Sequence, residues 1–510
     1  MHRSLGGKWA PPGFSPGSAL PIKSLHWETP AESPWPKVKV IMCRAPLRIR
    51  TIGLTVTLVA LVVLAAAPMA GASGPLAVQA AIDPAFERAL QAPSGDRLPN
   101  PVRMTLGAAA ERRATLAASS LPSYYLGDDV RLSPVKDQRS YGTCWAFANI
   151  GALESALLPG ETWNFSEDNL VTRSGFGPFP GGAYEWGGFD AMAVAYFARW
   201  AGPVTERDDP YPSPRVPAVN PVQKHVQDVI MLPGRSSVYD NDLLKQMVYE
   251  HGAVSVGMFW RDGAYQSSTY GFYDRNAEGE NHGVCIVGWD DSYPATNFKV
   301  TPSGGDGAFI VRNSWGGGWG DGGNFYVSYY DRSFAFYDCT VYARVDGPED
   351  FGRIYQYDKL GLVESLRPTS GQLDVARFAN QFTARASANV TAAGFYATSA
   401  DATYKVLAGP TMQSLTTRAT GTFTLPGFHT VSFDTPLPVT RGGRFVVAVR
   451  LTTPGNYPIP IETRVRGYSS AASASPGQSY VRSSNASRWK DLTSIRGYAE
   501  ANVCLKAYTD

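Results

Sequence analysis

One short run holds the residue types that acyl-transfer chemistry needs: Lys136-Asp137-Gln138-Arg139-Ser140-Tyr141-Gly142-Thr143-Cys144-Trp145-Ala146-Phe147. From Ala146 the apolar residues Ala146, Ile150, Leu153 and Leu157 recur at helical spacing, and Pro159-Gly160 stops the pattern. Cys144 is therefore expected in the first turn of a helix. There, unpaired backbone N–H groups and the positive end of the helix dipole favour thiolate over thiol. A thiolate is the form that attacks carbonyl carbon. Gln138, on the incoming loop, is placed to aim its amide at the oxygen that turns negative during attack.

The stretch Leu121 to Phe147, with Pro134-Val135-Lys136-Asp137-Gln138 and Gly142-Thr143-Cys144-Trp145, resembles the start of a mature papain-like cysteine peptidase. The family signature around its nucleophile is C-G-[SA]-C-[WY]. This chain departs from it at Tyr141 and Thr143. His282 lies about 138 residues after Cys144, within the roughly 130–150 expected between nucleophile and base in that family. It opens the run His282-Gly283-Val284-Cys285-Ile286-Val287-Gly288-Trp289, which reads as a buried strand. Asn313, in Asn313-Ser314-Trp315-Gly316, is similar to the family's third residue, whose side chain orients the imidazole while Trp315 shields that hydrogen bond. The Pro-, Gly- and polar-rich loop Asp291–Gly305 reads as an insertion that lengthens the spacing to Asn313. Singly, such a cysteine is usually a small buried hydrophobe, such a histidine structural and such an asparagine a turn. Their joint order carries the catalytic reading.

The resemblance implies more. Gly187-Gly188 would offer backbone pairing to an extended substrate, because no side chain intrudes. Phe189, Asp190 and Ala253 would shape the main specificity pocket, Phe189 favouring an apolar side chain and Asp190 a basic one. The family's usual disulfide beside the nucleophile would join the positions of Tyr141 and Glu185, so both halves are absent together. Of the five cysteines, Cys285 is expected in a core strand, while Cys339 and Cys504 are candidates for a bridge across two domains.

The expected reaction is peptide-bond hydrolysis through a thioacyl-enzyme: Cys144 attacks, His282 shuttles the proton, Asn313 orients His282, and Gln138 with the Cys144 N–H stabilises the oxyanion. No His/Cys/Asp cluster has ligand spacing, so no metal or cofactor is expected. No paired-His block is seen, which favours an endopeptidase. Two other classes use the same residues: a silent cleft-and-sandwich adhesion protein, and a thioester-dependent transpeptidase.

The elements that must position these groups follow an α+β pattern. Residues 121–346 read as a two-lobed papain-like fold, helical first and strand-rich afterwards. In the first half Ser166 is the expected N-cap of a helix that follows Phe165. The later strands are expected at Val254–Met258, Ala308–Val311 and Asn324–Tyr330. Residues 350–510 alternate apolar and polar positions in short runs and read as an all-β sandwich. They resemble the lectin-like domain found behind some papain-like domains. That likeness implies glycan binding, with Trp489, Tyr457, Tyr468 and Tyr480 as stacking candidates.

The 510 residues leave room for about three domains. A net charge of +2 without a basic stripe excludes nucleic acid as the expected partner. Arg44, Arg48 and Arg50, the apolar run Ile52–Ala67 and Ala70-Gly71-Ala72 make residues 42–72 a secretory signal, so an extracytoplasmic product without stable membrane insertion is expected. Residues 1–41 are Pro/Gly/Ser-rich and are expected to be disordered or a mis-assigned start. Residues 73–120 read as a short inhibitory propeptide or a spacer, with weak helices at Asp83–Ala92 and Ala108–Ala118. Family propeptides run backwards through the cleft.

Overall fold

The computed structural model describes residues 77–91, 97–107, 120–179, 182–213, 219–484, 486 and 488–510. The expected signal, the segment ahead of it and the helix over 108–118 lie outside these residues.

The nucleophile helix, Cys144–Leu157, is apolar on nearly every face, and eleven of its fourteen residues are buried. A helix of that kind must be surrounded. It lies against the strands Val254–Met258, His282–Asp290 and Cys339–Asp346 on one side and the helices Glu167–Arg173 and Asp190–Ala198 on the other. Pro159 ends it as expected, with Leu158 already extended. Its first turn holds no acidic residue, so the helix itself sets no opposing charge against the dipole at Cys144. In the next helix Ser166 Oγ accepts from the Asn169 N–H at 3.0 Å, a cap worth about 1 kcal/mol.

The second lobe is an antiparallel ladder. Val254–Met258 pairs with His282–Asp290 (Met258 opposite His282), which pairs with Ala308–Arg312 and then Asn324–Ser328. The strand Ser123–Tyr125 joins the His282 strand at Gly288, where a Cβ would meet Tyr124 O at 2.2 Å. The insertion after Asp290 holds a 3-10 turn, Ala295–Asn297.

The C-terminal region is a sandwich, as expected. A six-stranded sheet built on Val375–Thr383 and Arg444–Thr452 faces Ala388–Ala397, Gly427–Val439 and Leu505–Thr509. Phe378, Phe445, Val447 and Val449 from one side interdigitate with Phe395, Leu505 and Ala507 from the other. Its sheet does not stop at the domain's edge. Gly427–Val439 pairs with His225–Leu232, placing Phe428 opposite Val229, and His225–Leu232 pairs in turn with Cys339–Asp346. Gly427 is required at this joint: its φ is +151° and a Cβ would lie 1.9 Å from Val229 O. The described residues from Ala77 onwards accordingly form one compact unit.

The segment before Leu121 packs on both halves. Ala77–Gln79 pairs with Glu364–Pro368 of the sandwich. Helix Pro84–Gln91 buries Phe86 completely, between Phe189 at 5.2 Å and Tyr468 at 5.0 Å between ring centroids. Two expectations are corrected here. Tyr468 is fully buried against this leader, so it has no face for a sugar. Cys339 and Cys504 are not bridged: both are free, buried thiols, with Cys504 Sγ donating to Gly361 O at 3.2 Å.

Candidate active site

Cys144 opens its helix at the floor of the cleft, 2% exposed. The opposite wall is the start of the His282 strand. A Cβ at Gly283 would lie 3.2 Å from Trp145 N and Cα, so the residues following the base and the nucleophile abut across the lobes. One imidazole nitrogen, Nε2, is 2.8 Å from Asn313 Oδ1, which also accepts from the Ser314 N–H. That bond leaves Nδ1 for the cleft. Trp315 lies across the imidazole face at 5.0 Å and 27° between planes, with Trp260 and Trp319 packed edge-on to Trp315. Burial pushes the His282 pKa down to about 4; the Asn313 bond opposes this and the charge of Arg97 adds to it.

Gln138 is 7% exposed and held twice: its amide nitrogen donates to Tyr141 O at 2.8 Å, and Oε1 accepts from Ser314 Oγ at 2.6 Å. One amide N–H thus belongs to its own loop and the second is the one left for an oxyanion. The loop is also stitched to the Asn313 turn, through Gln138 N–H to Ser314 O and pairing of Asp137 with Trp315. Lys136 fixes the loop from below, donating to Glu154 Oε1 at 2.9 Å and Glu167 Oε1 at 2.8 Å. Burial pulls its pKa down, but the two carboxylates outweigh that and keep it charged.

Where the resemblance placed a disulfide, Tyr141 meets Tyr184 edge-on at 5.0 Å, and Gly142 N–H donates to Tyr184 O. An aromatic contact ties the same two loops. Cys285 faces the back of the nucleophile helix, Sγ to Ala148 O at 3.0 Å, and burial raises its pKa to about 12.

The substrate-facing residues divide. Gly188 must be glycine, since a Cβ would strike the Trp145 ring at 2.4 Å, and Gly187 has φ +86°. The leader lies on this edge: Leu98 N–H donates to Gly188 O at 3.1 Å, Arg97 N–H to Asn281 O at 3.4 Å, and Arg97 pairs with Gly188 in parallel. Asp190 forms the pocket floor, its Oδ1 accepting from Asn149 Nδ2 at 2.7 Å and Ser255 Oγ at 3.3 Å. Arg97 fills the pocket, its Nη2 2.7 Å from Asp190 Oδ2. Phe189 does not line it: the ring is spent on Phe86, Trp186 and Tyr468. Ala253 is buried below, its N–H donating to Ser155 Oγ at 2.9 Å, and Ser255, two residues on, is the one that reaches the pocket. Sequence reasoning missed Arg97, Ser255, Glu280 and Asp338. The one signal was Glu280, two positions before the base and in line with its strand.

A cysteine that opens a buried helix and a histidine that opens a strand of the second, strand-rich lobe, with a β-sandwich behind, define a two-lobed papain-like fold carrying a lectin-like domain. Residues 126–345 match the model of the papain family of cysteine proteases, and residues 354–509 that of the lectin-like domain. The chain thus carries a papain-family cysteine protease domain followed by a lectin-like domain. Similar curated proteins include a probable cysteine protease, RD21C, of Arabidopsis thaliana, 32% identical over 205 residues (38% of this chain, 40% of the relative). Human cathepsin L2 is 30% identical over 202 residues (38% and 56%). The chain thus spans about half or less of these relatives' length. The cysteine protease and lectin-like domains of the surface-layer-associated protein Cwp84 of Clostridium difficile superpose with a TM-score of 0.71 at 24% identity, covering 85% of this chain and 98% of that one. A second structure of clostridial Cwp84, after propeptide cleavage, gives a TM-score of 0.66 at 26% identity, covering 76% and 99%.

Proposed function

We propose that the protein is a secreted cysteine endopeptidase made as a self-blocked precursor. The observation that carries this reading is His282, hydrogen-bonded to Asn313 and set across the cleft from the helix that Cys144 begins. In the open enzyme the Cys144 sulfur attacks the peptide carbonyl, and the oxygen gathers charge beside the Cys144 N–H and the free Gln138 N–H. His282 gives its proton to the leaving amine; water then enters, and His282 returns the thioacyl ester to free sulfur and acid. Asn313 acts through His282 as its orienting partner.

Residues 73–120 are the propeptide in this reading. The leader pairs with Gly188 in parallel, in keeping with the backward path of family propeptides, so its carbonyls are not offered to the sulfur as a substrate's are. Its Arg97 also adds a positive charge near His282, which with burial favours the neutral ring. Export is supported by the residues of the signal segment and by the surface-layer association of Cwp84. No helix among the described residues is long and apolar enough to cross a membrane. Glycan binding by the sandwich remains a proposal on the lectin-like match; Trp489, stacked under Arg482 at 5.1 Å, and the half-buried Tyr457 and Tyr480 are its remaining stacking candidates.

The test is turnover of an unfolded protein by the chain after proteolytic nicking between residues 107 and 120, with an added amine nucleophile. Hydrolysis that Cys144→Ala abolishes is expected. Ligated product in excess would make transfer the main activity, and turnover indifferent to Cys144→Ala would end the reading.

A further inference from the structure

Arg97 is 1% exposed and reaches the pocket floor through a channel that two glycines leave open. A Cβ at Gly283 would lie 3.3 Å from Arg97 Cδ, and one at Gly257 would lie 3.3 Å from Arg97 Nε. At its end the guanidinium meets Asp190 Oδ2 at 2.7 Å, Ser255 Oγ at 3.3 Å and the Asp338 carbonyl at 3.2 Å. The Glu280 side chain, equally buried, points Oε2 at Arg97 Nε from 3.6 Å, and that oxygen has no hydrogen-bond partner among the described residues. The pocket therefore sets the carboxyls of Asp190 and Glu280 around one cation, and the cation belongs to the segment that must leave.

We propose that the opened pocket selects an arginine or lysine side chain in the substrate, at the residue that pairs with Gly188, and that Arg97 is its built-in surrogate. This rests on the peptidase reading and names the substrate class of that same site. Removing Arg97 takes the positive partner from Asp190 Oδ2 and Glu280 Oε2, and any side chain that then reseals the pocket without a cation buries them unpaired, a state far costlier than the paired one. An incoming guanidinium restores both contacts, whereas a leucine or phenylalanine side chain would seal the carboxylates under apolar atoms. Discrimination by a buried polar group left unpaired is much steeper than discrimination by fit alone. Burial raises the Glu280 pKa to about 8 against the pull of Arg97, as expected for a carboxyl that waits for a cation.

The test uses the full chain with Arg97→Glu, which expels the leader from the pocket by charge repulsion. Two matched peptidyl chloromethyl ketones carry arginine or leucine at the position that would pair with Gly188, and modification of Cys144 is followed by peptide mapping. The arginine reagent is expected to react at least about tenfold faster than the leucine reagent, with Glu280→Gln and Asp190→Asn each narrowing the ratio. Equal rates, or a faster leucine reagent, would overturn the proposal. Iodoacetamide scores the nucleophile separately: failure to label Cys144 would sink the peptidase reading but not the pocket. The pocket is then scored by equilibrium binding of N-acetyl-arginine amide against N-acetyl-leucine amide to the same variant. At least about tenfold tighter arginine binding supports it, and equal binding overturns it.

Discussion

The imidazole of His282 is enclosed by Asn313 at one nitrogen, Trp315 across its face and the positive field of Arg97. Its neutral form is favoured mainly because burial strips water from the charged one. A histidine whose pKa falls on folding binds its proton more readily when unfolded. The intact chain therefore loses stability on this account as pH drops from 6.5 towards about 4, by up to about 1.4 kcal/mol per unit. An NMR titration of the intact chain should place the His282 midpoint near 4, and Arg97→Glu should raise it by admitting water and replacing a positive neighbour with a negative one. Asn313→Ala should slow hydrolysis about 10²-fold by letting the ring turn, while far-UV dichroism stays unchanged. These groups were legible in the sequence because each sits in its own short motif. The pocket was not. Arg97 meets Asp190 and Asp338 across long stretches of chain, and no local pattern announces such pairs. Phe189 was misjudged for the same reason, since its ring is claimed by Phe86 and Tyr468 from two distant segments.

Among the elements, the nucleophile helix, the Ser166-capped helix and the central strands follow from apolar spacing and cap chemistry, which are local and strong. The loop carrying Gln138 has no such periodicity and is held by its bonds to the Asn313 turn and by one cation. Lys136 joins Glu154 on the nucleophile helix to Glu167 on the next, so loop and both helices share one buried cluster. Lys136→Met should cost about 3–5 kcal/mol in urea unfolding, because two carboxylates would stay buried without a partner. The accompanying Glu154→Gln/Glu167→Gln changes should recover part of that loss. Tyr141 shows how an element-level tie survives a change of chemistry: the contact with Tyr184 now joins the loops where the family resemblance suggested sulfur.

For the whole molecule, the peptidase and sandwich parts share a sheet through the pairing of His225–Leu232 with Gly427–Val439, a join with no trace in local composition. The leader crosses that join, strand-paired to the sandwich at Ala77–Gln79 and wedged by Phe86 against both parts. The sandwich thus helps hold the block in place. Phe86→Ala should remove about 3–5 kcal/mol of packing and, in the intact chain, speed iodoacetamide labelling of Cys144 as the leader loosens. Labelling of Cys285 and Cys504 should not change, since the first is buried against Ala148 O on the back of the helix and the second against Gly361 O.

The pH dependence of Cys144 alkylation in the Arg97→Glu chain bears on the core of the account. The rate should hold a plateau down to about pH 5, well below the range of a free thiol near 8.5, and His282→Ala should return it to thiol-like behaviour. A rate that climbs only above about pH 8, alike with and without His282, would contradict a sulfur ionised by its helix and its imidazole.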